Sequence, residues 1–469
     1  MYGMEIDFGF GEDERMDMGE QSFSTRIAPY TTADLRWHNI EHDSTGRISS
    51  MTACKCIVHL RFTRDNNSND EEEGFIPPSH PYDNQIAHTL SRSDGLRKLY
   101  LYGIPIGSTA CKALASFLQN PASNLEVLSL KNTELGNGRL RILSSGLGVN
   151  ETLRELNIGT NPAITNWRAF SSALASPRRR LDKLDLSDNT MCDLAVLSIT
   201  NALLINTTIK SLILNSTWSI SIVGTNHLYQ MLESPSCSLE NLHLNHYGLD
   251  DDLIQSLANA LANNRLLRTL NLGNNWEITD VGWETFEAVL RNPNSSLEKL
   301  DLSPCEISDQ AMISFAGSLT NNITLTDLIL DHDIKPAGCA AFIRMLCGDS
   351  SILSTYQSNH TLERLCSAYR EDSLPEDLLS LLQINRDNNL SQAVRITILM
   401  LSDEDLVPFF LCMNKNALPY AIAWMARDDN SDIYDGSLNG FSLLFLLFRT
   451  MPTLLKRGSL SSSVLTYSV

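Results

Sequence analysis

Leucine recurs along this chain in a phrase of three, Leu-x-x-Leu-x-Leu, with polar or charged residues in the gaps, as in LDKLDLSDN from Leu181 to Asn189. Nearly the same phrase begins at Leu96, Leu125, Leu153, Leu181, Ile209, Leu239, Leu267, Leu297 and Leu325, at intervals of 28 to 30 residues. No proline or glycine interrupts these windows. Alternate side chains of a strand face opposite ways, so Leu184 and Leu186 point to one side while Lys183, Asp185 and Ser187 point to the other. Each window predicts a strand with one apolar and one polar face.

A second pattern fills the intervals. CKALASFLQN (111–120), FSSALASP (170–177), IQSLANALANN (254–264) and FEAVLRNP (286–293) carry apolar residues three and four apart, the stripe of a short amphipathic helix. Asn120, Pro177, Asn263 and Pro293 close these helices. Each unit is then a strand, a turn, a helix and a return, and so many copies in phase predict a repeat array. IVHLRF at 57 and LSTYQS at 353 are weaker copies, as the outer units of an array need to be.

Parallel strands covered on both faces read as continuous apolar runs, and these read half polar. Helices therefore cover one face of the sheet and leave the other to water. Strands stack about 4.8 Å apart and packed helices roughly 8–10 Å apart, so stacking both in register forces a curve. The prediction is an α/β solenoid, a horseshoe with a parallel sheet on the concave face and helices on the convex face.

Asn161, Asn189 and Asn275 stand eight residues after the first leucine of their units, where the chain leaves the strand. An amide there can bond loop backbone groups that burial would otherwise leave without partners. Thr133, Thr217 and Cys305 hold the same position in other units. In unit length and in this Asn/Cys/Thr position the chain resembles the ribonuclease-inhibitor-like class of leucine-rich-repeat proteins, over roughly residues 57–360. The resemblance implies the fold and a protein-binding role, without choosing among inhibitors, small-GTPase activators, innate-immune sensors and scaffolds.

The flanks complete the organisation. Residues 1–30 are acidic and lack apolar periodicity, so an unstructured tail is expected. Residues 31–95 are assigned to an N-terminal cap and an atypical first repeat with a polar, acidic insertion at 65–75, and 96–360 to the main repeats. From 362 the phase is expected to change into helices, beginning with PEDLLSLLQINRD (375–387), that cap the array to residue 457. Residues 458–469 form a flexible tail; its last residues, TYSV, have the form of a PDZ-groove ligand but read better as a frayed end.

A net charge of −19 argues against nucleic acid or anionic membrane as general partners, since both need clustered Lys and Arg. The ten cysteines include no CxxC pair and the N-terminus lacks the basic-then-apolar order of a signal peptide, so a reduced, cytoplasmic chain is expected. The most apolar run, LNGFSLLFLLF at 438–448, is too short to span a bilayer. On the same reasoning the sequon NTT at 206–208 is expected to stay unglycosylated.

Candidate chemistry is sparse. HNIEH at 38–42 places His38, Glu41 and His42 in the order of an inverted zinc-protease motif, but it runs straight into the loop-like DSTG and reads better as a solvated segment. DNNSNDEEE (65–73) and DDNSDIYDG (428–436) lack the glycine and glutamate that a calcium loop needs. Nothing resembles a phosphate loop or a nucleophile elbow, so no enzyme, cofactor or metal is expected. The surface left over is the concave face. Its central column runs through Tyr100, Ser129, Asn157, Asp185, Ile213, His243, Asn271, Asp301 and Ile329, and the next column includes Tyr102, Lys131, Asn245 and Asp331. Tyrosines and apolar groups that strand geometry turns toward water are favoured interface anchors. Trp218 and Trp276 follow the strands closely enough to rim that face. The leading expectation is a monomeric, non-catalytic module binding a protein partner there. The alternative is a small-GTPase regulator of the activating type, although the acidic tail here precedes the repeats rather than following them.

Overall fold

A computed structural model describes residues 5–7, 32–37, 59–64, 83–91, 95–176, 180–217, 220–330, 334–347, 358–366 and 374–386. His38–His42, the insertion at 65–75, Trp218, Asp331, the weak copy at 353, residues 428–436 and everything beyond 386 lie outside these residues. The chain divides into two compact units between Glu277 and Ile278.

In the first unit the strands are β1 (Glu5–Asp7), β2 (Thr32–Trp37), β3 (His59–Arg64), β4 (Lys98–Tyr102), β5 (Val127–Ser129) and β6 (Glu155–Asn157), then β7 (Lys183–Asp185), β8 (Ser211–Ile213), β9 (Asn241–His243) and β10 (Thr269–Asn271). The helices between them are α1 (Asp83–Leu90), α2 (Ser108–Gln119), α3 (Asn137–Leu147), α4 (Arg168–Leu174), α5 (Asp193–Ile205), α6 (Ile222–Glu233) and α7 (Asp251–Leu261). From β2 to β10 every neighbouring pair is parallel and in repeat register, so that Leu99, Leu128, Leu156, Leu184, Leu212, Leu242 and Leu270 stand in one row. All seven are buried. One expectation is corrected here. Glu5–Asp7, inside the stretch expected to be unstructured, pairs antiparallel with β2. The reason is open backbone: the first parallel strand would otherwise present an unpaired edge.

Helix α7 shows how the return limb forms. Asp250 caps it by accepting the Leu253 amide at 2.9 Å, and Asp251 and Asp252 add negative charge to the first turn. Its buried side, Leu253, Ile254, Leu257, Ala258 and Leu261, follows the three–four spacing. Opposite faces of α2 and α3 meet most closely, because Gly146 lies against the backbone of Ala115.

The second unit contains α8 (Asp280–Arg291), β11 (Lys299–Asp301), α9 (Asp309–Leu319), β12 (Asp327–Ile329), α10 (Pro336–Leu346) and α11 (Glu376–Arg386). β11 and β12 are parallel, with Leu300 opposite Leu328. A further strand position follows: Arg364 bridges to Asp327, and Leu328 N–H donates to Arg364 O at 2.9 Å. Leu362, Leu365 and Cys366 are buried beside it. The phase expected to end at 362 therefore continues with LERLCS. The residues inserted between α10 and Leu362 break the fixed count, which is why period alone does not find this unit.

Asparagine also holds the helix ends, at positions that the strand phrases do not reveal. Asn150, Asn206 and Asn264 donate their side-chain amides to the last-turn carbonyls of Leu118, Leu174 and Leu232 at 2.9, 2.8 and 2.8 Å. In the second unit Asn322 and Asn359 do the same to Leu290 and Leu319. These residues occur in every second repeat of the first unit, largely as Asn-x-Thr-Leu or Asn-x-Thr-Ile, a signal present in NETL, NTTI, NITL and NHTL. Asn206 belongs to the sequon at 206–208 and is 1% exposed. Its amide is committed inside the fold, which is itself an obstacle to glycosylation.

Candidate functional site

The polar face of β4–β10 is built by strand alternation over the buried leucine row. Tyr100, Ser129, Asn157, Asp185, Ile213, His243 and Asn271 occupy successive positions of one column, all half-buried, and Tyr102 beside Tyr100 is 43% exposed. In the second unit Asp301 is half-buried and stands opposite Ile329. Ile329 itself is only 9% exposed, which corrects the expectation that it points at water.

Hydrogen bonds divide the column into two kinds of residue. Asn157 accepts the Gly159 amide at 2.8 Å, Asp185 the Ser187 amide at 3.0 Å, and Asn271 the Gly273 amide at 3.0 Å. Asp301 accepts the Ser303 amide in the same way at 3.0 Å. Each closes the turn that ends its own strand, the local bond that Asn and Asp form two residues ahead. Asp185 further takes the Ser187 hydroxyl at 2.7 Å and the Asn157 side-chain amide at 2.7 Å. Asn245 accepts from Asn274 at 3.2 Å. Side chains assigned to a partner from sequence thus have structural work of their own. Ile213, with no polar side-chain atom, closes no such turn.

Beyond the face, Asn161 is fully buried and accepts the amides of Thr133 and Leu135 from the preceding repeat at 3.0 and 2.8 Å. It donates to Leu130 O, Ile158 O and Gly159 O at 2.9, 3.0 and 3.0 Å. Asn189 accepts the Asn161 amide at 2.8 Å, and Asn275 accepts those of Tyr247, Gly248 and Leu249. Thr133 and Thr217 donate to the carbonyls of Leu130 and Leu214 in their own units, at 2.9 and 2.8 Å, and Thr133 also reaches Asn161 Oδ1 at 3.4 Å. The buried thiol of Cys305 holds the position in the second unit. Each of these residues follows the strand exit, where Asn132, Thr160, Asp188, Ser216, His246 and Asn274 have positive φ.

The N-terminal rim of the sheet carries a pattern missed in sequence: the first gap of the phrase alternates in sign, Arg97, Glu126, Arg154, Asp182, Lys210, Glu240. The structure pairs these charges two by two, Arg97–Glu126 at 3.3 Å, Arg154–Asp182 at 3.3 Å and Lys210–Glu240 at 3.2 Å. The six side chains are 35–57% exposed, so each pair is screened by water and contributes little, and we expect Arg154→Ala to lower stability by less than about 1 kcal/mol in urea unfolding. A loss of several kcal/mol would mean the pair is shielded from water. The rim is thereby neutralised. Taken together, rim and face positions of β4–β10 hold seven cations against five carboxylates, although the chain carries −19.

A groove of about 200 Å³ crosses β4–β7, with Tyr100 at one end and Asp185 at the other. Ser129 and Asn157 are among its lining, and Glu155 and Lys183 flank it. Its volume is below the roughly 300–1,000 Å³ of ligand and cofactor pockets and suits a side chain. Among the described residues no group of three or more metal-ligating side chains comes together, and no helix is long and apolar enough to cross a membrane. Burial pushes the Cys111 thiol up to about 12 and raises Cys237 and Cys339, so these three are packing groups rather than nucleophiles.

No protein-family model matches the chain. It is similar to mouse (Mus musculus) NACHT, LRR and PYD domains-containing protein 9B, 31% identical over 251 residues, which cover 53% of this chain and 25% of that protein. Ribonuclease inhibitor of Sus scrofa is 28% identical over 246 residues, 52% of this chain and 54% of the inhibitor. The chain therefore spans about a quarter of the NACHT relative and about half of the inhibitor. Among solved structures, an internalin from Listeria monocytogenes aligns at 17% identity and a TM-score of 0.38, over 72% of this chain and 81% of that one.

Proposed function

We propose that this chain, which carries ribonuclease-inhibitor-like leucine-rich repeats, is a non-catalytic protein-interaction scaffold whose open strand face takes a partner protein. The observation that carries the reading is the exposed column itself. Parallel strands present half-buried Tyr100, Ile213 and His243, with Tyr102 beside them, on a face that none of the described helices of the first unit buries. Aromatic groups so placed lose little conformational freedom on binding and provide large contact area. The similarity to a protein named ribonuclease inhibitor supports a binding role for this type of repeat.

The test is affinity capture by the intact chain and by a Tyr100→Ala/Tyr102→Ala/His243→Ala variant. Proteins retained by the unaltered chain and lost at least about tenfold by the variant are expected, since interface aromatics commonly contribute about 2 kcal/mol or more each. A parallel variant on α2 and α3, Lys112→Glu/Arg141→Glu, changes exposed helix positions and is expected to retain them. Identical capture by the face variant and the unaltered chain would remove the strand face as the working surface.

A further inference from the structure

The unequal treatment of charge on the two borders of the face points to the chemistry of the partner. Rim cations Arg97, Arg154 and Lys210 are each paired with a carboxylate in the next repeat. Lys98, one position inward on β4, and Lys131, two residues past the end of β5, form no ion pair among the described residues. They bracket Tyr100 and Tyr102 on β4 and the residues just after β5. Of the carboxylates on this part of the face, Asp185 is already engaged by three donors, and Glu155 stands two strands from Lys98 in the same register row. In a chain of net charge −19, two face lysines that form no ion pair run against the overall balance and are a local complement for negative charge.

We propose that the β4–β5 corner of the face binds an acidic segment of a partner protein, its carboxylates on Lys98 and Lys131 and an apolar or aromatic side chain between Tyr100 and Tyr102. This rests on the reading of the strand face as the interaction surface and adds the sign of the partner. Lysine and tyrosine together also suit single-stranded nucleic acid, through phosphate contacts and base stacking. The surrounding negative charge of the chain opposes a polyanion whose charge extends well past the corner, but it opposes a short acidic segment much less.

The experiment measures binding of three fluorescent probes to the full chain: a short peptide alternating glutamate and threonine around a central tyrosine, its lysine counterpart, and an oligouridylate. The glutamate peptide is expected to bind, more weakly as salt rises, and to lose about tenfold or more in affinity with Lys98→Glu/Lys131→Glu. Lys112→Glu/Arg141→Glu, with the same charge change on α2 and α3, is expected to leave it nearly unchanged; circular dichroism and thermal unfolding establish that both variants fold. No binding of the glutamate peptide, equal loss in the two variants, or tighter binding of the lysine peptide or of oligouridylate would overturn the proposal. Failure here with capture still dependent on Tyr100 and Tyr102 would remove the acidic partner alone. Failure of both would remove the face.

Discussion

Asn161→Ala is expected to destabilise the first unit by about 4 kcal/mol, read as a lower urea midpoint at unchanged slope. The side chain is 0% exposed and joins two repeats: it accepts from Thr133 and Leu135 and donates to Leu130, Ile158 and Gly159. Alanine leaves two backbone donors without a partner inside the fold, and each buried orphan costs about 1–3 kcal/mol. The three carbonyls lose one bond each but keep another donor, Thr133 Oγ1 for Leu130, Asn189 Nδ2 for Ile158 and Asn132 N–H for Gly159, and so add less. Asn161→Thr should lie between, because threonine at Thr133 and Thr217 satisfies a carbonyl of its own repeat but reaches no amide of the one before. Asn157→Ala is the control. It also removes an amide side chain, but from the half-buried face, where water can replace the bond to Gly159, so about 1 kcal/mol is expected. Equal losses at 161 and 157 would show that the buried asparagine does not couple repeats.

The second large effect is expected at Gly146. A Cβ there would lie 2.5 Å from the carbonyl oxygen of Ala115 and 2.7 Å from its Cα. Two effects oppose each other in Gly146→Ala. Helix propensity favours alanine by about 1 kcal/mol, whereas forcing α3 away from α2 costs about 1–3 kcal/mol in lost packing and strain. The obstacle is backbone, which cannot swing aside as a flexible side chain would, so the upper end applies and a net loss of about 2 kcal/mol is expected. Trimming the neighbour with Ala115→Gly should give no rescue, since the atoms in the way remain. A more stable Gly146→Ala protein would show that the two helices do not approach so closely.

How much of this was legible depends on how local the signal is. The buried rows Leu99–Leu270 and the helix stripe of α7 follow from alternation and three–four spacing, which any short window displays. Asn161 and its equivalents were legible as a position because they recur in phase, though not the repeat each would reach. The unit at Leu362 was not, since an insertion shifts its phase, and the Asn150–Asn264 series was not, since its spacing is two repeats rather than one. Ile329 misled for a related reason: alternation gives the face to which a side chain points but not what lies beside it. The pairing of Arg97 with Glu126 was written in alternating signs, yet those charges become neighbours only through register.

The sequence by itself determined the repeat, the strand and helix of each unit and the sidedness of the sheet, because these depend on residues within a few positions of one another. Tertiary structure alone decided which polar groups of the face are bound to their own turns, where α2 and α3 touch, and which charges cancel. Those outcomes depend on contacts between successive repeats, where a difference of an ångström in register or approach settles whether a lysine meets a carboxylate or water.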